Sequence, residues 1–230
     1  MSIAENLENV RSQIAAAALT SGRSADAVTL VAVSKTWPVE TIEEAVAIGQ
    51  KVFGENKVQE ILAKVPAMAD DLQWHLIGHL QKNKVRKVLP LCACIHSIDS
   101  LELAQQVDRI AGELERKASV LVQVNVSCDE AKFGFSPESV RASFDEMLEL
   151  KHLEIGGLMT VPAFDPDPEK VRPDFARLRE LRDALSEKFG VPLTDLSMGM
   201  SHDFATAIEE GATLVRIGSS IFGTRDYGSG

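Results

Sequence analysis

Short apolar runs recur along this chain, and each is followed by a longer stretch whose apolar positions repeat at helical spacing. "VTLVAVS" precedes residues 38–49, "KVFG" precedes 56–64, "QWHLIG" precedes 80–88 and "CACIHSI" precedes 100–116. The alternation continues with "SVLVQVNV" before 137–151, "LEIGGLMTV" before 168–189, "LTDLSMGM" before 202–210 and "TLVRIG" before a short helix from Ser219. An alanine-rich amphipathic segment, residues 2–21, precedes them all and reads as a leading helix ended by Gly22. Strands that alternate with helices pair in parallel through right-handed crossovers, and eight such units predict an α/β fold of the closed (β/α)₈ type. The competing open, doubly wound sheet would need a glycine-rich phosphate loop after an early strand, and no G-x-G-x-x-G occurs.

Length supports one barrel rather than two small domains: 230 residues with 45% hydrophobic content form one large core. Residues 1–230 are therefore read as a single domain, with 1–22 as the leading segment and 224–230 as an expected mobile tail. "VPAFDPDPEKVRP", residues 161–173, reads as one long strand-to-helix loop.

No window reaches the roughly eighteen consecutive apolar residues of a membrane span, and "MSIAENLENVRSQ" carries acids where a signal peptide is basic and then apolar. The expectation is a cytoplasmic protein. Three cysteines, Cys92, Cys94 and Cys128, give no disulfide framework, and no second Cys or His pair follows "LCACI" at zinc-site spacing. A net charge of −10 argues against nucleic acid as a partner. The basic run "QKNKVRKV" at residues 81–88 reads as a solvated helix face.

Strand ends face the active-site mouth in such barrels, and Lys35 closes the first strand. It follows Val31, Ala32 and Val33, so its stem is expected to start in low dielectric, as suits a Schiff-base lysine. A lysine merely snorkelling from the rim is the plain alternative. Other strand ends carry Glu55, Asn56, His75, His79, Ser97, Asn125, Thr160, Ser201, Arg216, Gly218 and Ser219. "MGMSHDF" and "RIGSSIFG" both run from a strand into a helix start, where barrels commonly hold a phosphate after strands seven and eight. Helix capping by Ser201 and Ser219 is the alternative there.

In order and spacing, "VAVSKT", "FGENKVQE", "WHLIGHLQKNK", "IHSIDS", "VNVS…KFGF", "GLMTV" and "LSMGMSHDFATAIEEGATLVRIGSSIFG" resemble the pyridoxal phosphate homeostasis family, from about residue 30 to 223. The resemblance implies a barrel like the N-terminal domain of alanine racemase, with pyridoxal 5′-phosphate covalent on Lys35. It further implies phosphate binding by Ser201, Gly218 and Ser219, Arg216 at the pyridine nitrogen, Asn56 and His75 lining the cofactor, and a monomer.

An arginine at the ring nitrogen cannot take up its proton, which leaves the ring a weak electron sink. Racemase relatives add a tyrosine from a further domain, whereas the one tyrosine here is Tyr227, close to the chain end. The expectation is a non-catalytic protein of pyridoxal phosphate homeostasis that hands its cofactor to pyridoxal-phosphate-dependent apoenzymes. The alternative is an amino-acid racemase with Lys35 as its base.

Overall fold

A computed structural model describes residues 2–127, 129 and 131–223. Eight parallel strands close a barrel in sequence order: β1 (Thr29–Val33), β2 (Val52–Glu55), β3 (Gln73–Leu76), β4 (Cys94–Ile98), β5 (Ala118–Gln123), β6 (Leu153–Met159), β7 (Asp195–Met200) and β8 (Leu214–Ile217). The closing seam sets Val31 of β1 opposite Arg216 of β8.

Helices alternate with the strands as the sequence pattern predicts. They are α1 (Ile3–Thr20), α2 (Val39–Ala47), α3 (Val58–Lys64), α4 (Val85–Val88), α5 (Leu101–Glu113), α6 (Pro137–Leu148), α7 (Arg172–Phe189), α8 (Phe204–Glu209) and α9 (Ser219–Phe222). Their ends are encoded locally. Ser2 and Glu5 form a reciprocal capping box on α1, Ser136 caps α6 ahead of Pro137, and Gly190 ends α7 at φ 65°. The long helix expected over 80–88 is instead a 3₁₀ turn at Lys82–Lys84, the single turn α4, and another 3₁₀ turn at Leu89–Leu91. Pro90 has no N–H to extend α-helical bonding, which limits the element.

The core has two parts. A large layer between sheet and helices contains Phe53, Trp74, Ile95, Val215 and Ile217, while Val31, Leu121, Met159 and Leu214 form a small separate cluster. Strand alternation explains the split: Leu214 and Arg216 share the inner face of β8, and Val215 and Ile217 the outer. Helix α1 packs against α8 and α9, Asn6 donating to the Ile221 carbonyl at 2.8 Å, and just beyond α1 Arg23 donates to the Ala212 carbonyl at 2.8 Å.

No helix among the described residues is long and apolar enough to cross a membrane. Nor do they contain a group of three or more His, Cys, Asp or Glu disposed around a metal. Cys92 is buried and Cys94 half-buried, and desolvation pushes both thiols up to about 12. Cys128, Tyr227 and the tail expected at 224–230 lie outside the described residues.

Candidate functional site

At the C-terminal mouth of the barrel lies a cavity of about 500 Å³, within the range typical of small-ligand sites. Six of the seven residues singled out in the sequence line it: Lys35, Asn56, Ser201, Arg216, Gly218 and Ser219. His75 is not among them. It is buried in β3 and bonds to another imidazole instead.

Lys35 is held through its neighbours. Ser34 donates its hydroxyl to Glu55 Oε1 at 2.7 Å and its N–H to the Gly54 carbonyl at 3.1 Å. Thr36 takes the left-handed conformation at φ 65°, and its N–H meets Glu60 Oε2 at 2.5 Å. Lys64 joins the two carboxylates, donating to Glu55 Oε1 at 2.6 Å, to Glu60 Oε2 at 2.8 Å and to the Ser34 carbonyl at 2.8 Å. Burial raises the Glu55 carboxyl above its ordinary range, against the pull of its bonds to Lys64 and Ser34. Glu55 is thus a buried strut beside the lysine and not a group of the mouth. The Lys35 side chain itself is exposed, because it leaves the strand into the open cavity. The low-dielectric setting expected from its apolar predecessors is therefore absent.

The opposite wall comes from the ends of β7 and β8. Ser201 Oγ accepts from the N–H groups of Gly218 at 3.2 Å and Ser220 at 3.5 Å. A side chain at position 218 would bring its Cβ to 3.2 Å from the Val33 carbonyl oxygen. Glycine there lets the β8 end lie against β1, close to Lys35. Met200 N–H donates to Asp203 Oδ1 at 2.6 Å, folding the chain back into α8.

Arg216 forms part of the cavity lining with its guanidinium buried. It donates from Nη1 to Ser197 Oγ at 2.6 Å and from Nη2 to the Thr160 carbonyl at 2.8 Å. Burial lowers it to about 10, with Asp203 pulling the other way, so it stays a cation at neutral pH. Behind it, Ser197 Oγ lies 2.8 Å from His96 Nδ1, and His96 Nε2 lies 2.9 Å from His75 Nδ1.

Sequence reasoning missed Asp203, His202 and Phe164 on the cavity wall, and Ser197 and His96 behind it. For Ser197 and His96 a signal existed, since each is polar at an inward position of an alternating strand. His79 and Ser97, read as mouth groups, act locally: His79 pairs with Asp99 at 2.8 Å and stacks on Phe133, and Ser97 donates to the Gly78 carbonyl at 2.7 Å.

Fold and site together define a class. The sequence profile described as alanine racemase, N-terminal domain, matches residues 3–226. Alanine racemase of Clostridium difficile 630 superposes with a TM-score of 0.77 over 97% of this chain and 57% of its own; at 19% identity this is a likeness of fold alone. Within the class the relationship is closer to a second group. The pyridoxal phosphate homeostasis protein of Aquifex aeolicus (strain VF5) is 46% identical over 228 residues, 99% of this chain and 100% of the relative. The human protein of the same name is 42% identical over 214 residues, 86% of this chain and 77% of its own. PipY of Synechococcus elongatus PCC7942, solved with PLP bound, has a TM-score of 0.87 at 40% identity, covering 96% of this chain and 100% of that one. The chain belongs to the pyridoxal phosphate homeostasis protein family.

Proposed function

We propose that this protein binds pyridoxal 5′-phosphate at the barrel mouth and acts in its homeostasis, holding the cofactor covalently on Lys35. One observation carries the reading: a lysine at the end of β1 shares a single cavity with the Ser201, Gly218 and Ser219 wall and with the buried Arg216 cation. The groups fit this cofactor. An amine suits its aldehyde, backbone and hydroxyl donors suit its phosphate, and a permanent donor suits the lone pair of its ring nitrogen.

When bound, the cofactor supplies an electrophilic aldehyde and an electron-withdrawing ring. The protein's part is to hold the Lys35 turn rigid, to anchor the anion, and to keep a cation rather than a carboxylate at the ring nitrogen. That last choice favours storage over carbanion chemistry. We therefore read the protein as a non-catalytic holder that passes pyridoxal phosphate to apoenzymes as a cytoplasmic monomer.

Borohydride reduction after adding pyridoxal phosphate, followed by peptide mapping, tests the site. Label on the Lys35 peptide is expected. Lys35→Ala should lose the covalent label and retain weak binding through the phosphate wall; label scattered over surface lysines would overturn the assignment. Turnover of any amino acid at about 1 per second or faster would overturn the non-catalytic reading.

A further inference from the structure

Three buried side chains behind the cavity are left without a role by the proposed function: Ser197, His96 and His75 are 0%, 0% and 6% exposed. With Arg216 they form one file across the barrel interior, from β8 to β3, and one set of hydrogen-bond directions pairs every donor between its members. Arg216 has no acceptor and always donates. Ser197 Oγ receives that donation at 2.6 Å, and its remaining neighbour at hydrogen-bond distance among the described residues is His96 Nδ1. The hydroxyl proton finds an acceptor within the file only at His96 Nδ1, so the assignment that leaves no buried donor unpaired has that nitrogen bare. In that assignment His96 carries its proton on Nε2 and donates it to a bare His75 Nδ1, leaving His75 protonated on Nε2.

We propose that His96 and His75 form a tautomer-locked relay that positions Arg216 through Ser197, so that the guanidinium presents its free N–H groups to the ring nitrogen of the cofactor. The proposal rests on the pyridoxal phosphate reading above. Without the bond to His96, the Ser197 side chain would be free to leave its rotamer, and Nη1 would then lose the acceptor that fixes its direction. Thr160 alone would then hold the guanidinium, by one bond about which it pivots. Burial, which disfavours charge on both imidazoles, supports the neutral assignment. His75 thereby acquires a function without touching the cofactor: it is a positioning residue at the far end of the file.

Two measurements test this. Long-range ¹H–¹⁵N spectra of the cofactor-free protein should show both imidazoles neutral with the proton on Nε2. In Ser197→Ala the lock on His96 is removed, and the His75 signal, beyond the altered residue, should change as well. A proton on Nδ1 of either ring in the unmutated protein would overturn the relay.

The second measurement compares binding of pyridoxal phosphate with that of its analogue carrying C–H in place of the ring nitrogen. Ser197→Ala should weaken the natural cofactor about tenfold and the analogue hardly at all, and Ser197→Thr, which keeps the hydroxyl, should restore the difference. Equal loss for both ligands would mean general damage to the cavity and would overturn the positioning role. Failure of the unmutated protein to take pyridoxal phosphate on Lys35 would overturn the cofactor reading itself, a result separate from the nitrogen spectra, which need no cofactor.

Discussion

Thr36 N–H donates to Glu60 Oε2 across 2.5 Å, and Thr36 is one of two non-glycine residues at positive φ among those described. A β-branched residue in this region costs on the order of 1–3 kcal/mol, which the carboxylate helps to offset. The turn carrying Lys35 is thus held by a residue on α3, outside the barrel wall.

Replacing that carboxylate should loosen the lysine. Glu60→Gln keeps the shape and removes the charge shared by Thr36 and Lys64, and should lower stability by about 1–2 kcal/mol in urea denaturation. Cofactor affinity, followed by titration, should fall several-fold. A variant with the stability and affinity of the parent would show that the clamp has no hold on the site.

Acid should destabilise the fold already in the range where free histidines titrate. Burial lowers His75 to about 4 and His96 well below its ordinary value, with the neighbouring charges of His75 and Arg216 adding to the effect on His96. Unfolded histidines titrate near 6.5, so between about 6.5 and 4 the unfolded chain binds more protons than the folded one. Stability accordingly rises with pH across this window and is lost as pH falls, by about 3 kcal/mol for His75. Glu60 is also lowered, and its contribution disappears in the same direction at still lower pH. Urea midpoints at pH 7, 6 and 5 should step downward, and His75→Asn should flatten the steps; identical midpoints would refute the account.

Gly199 lies at φ 90°, and a Cβ there would stand 2.7 Å from Ala207 Cβ. Gly199→Ala combines backbone strain with a clash against α8 and should cost about 2–4 kcal/mol. The readout is a lowered denaturation midpoint with an unchanged slope; a midpoint equal to the parent's would disprove it.

Phe164 projects from the loop over the cavity, exposed, with its ring edge against His202 at 4.8 Å between centroids. Phe164→Ala should leave stability within about 0.5 kcal/mol and speed release of bound cofactor several-fold in a stopped-flow exchange. Unchanged release would mean that the loop does not gate the mouth.

The parts of this architecture that were readable from the sequence share a short range. Eight apolar runs separated by helical periods announce a barrel, and a lysine ending the first run stands out against Val31, Ala32 and Val33. What was hidden depends on distant partners. His96 sits in "CIHSI", where nothing local indicates that its nitrogen meets Ser197, 101 residues later. Glu55 and Lys64 pair across nine positions, a spacing with no helical or strand period. The exposure of Lys35 was likewise invisible, because it depends on how far the barrel mouth opens and not on the residues preceding the lysine.

The seam between β1 and β8 gives the site an order in time. Lys35 is made early on the ribosome, but the wall it faces, with Ser201, Arg216 and Gly218, belongs to the final strands, and Val31 finds its partner in Arg216 only when β8 has emerged. Through most of synthesis the lysine is an ordinary amine on an unfinished chain, without the β7 and β8 residues that share its cavity. On the proposed reading, only a closed barrel would then bring the amine and its facing wall together, and a chain stopped before β8 would take up no cofactor.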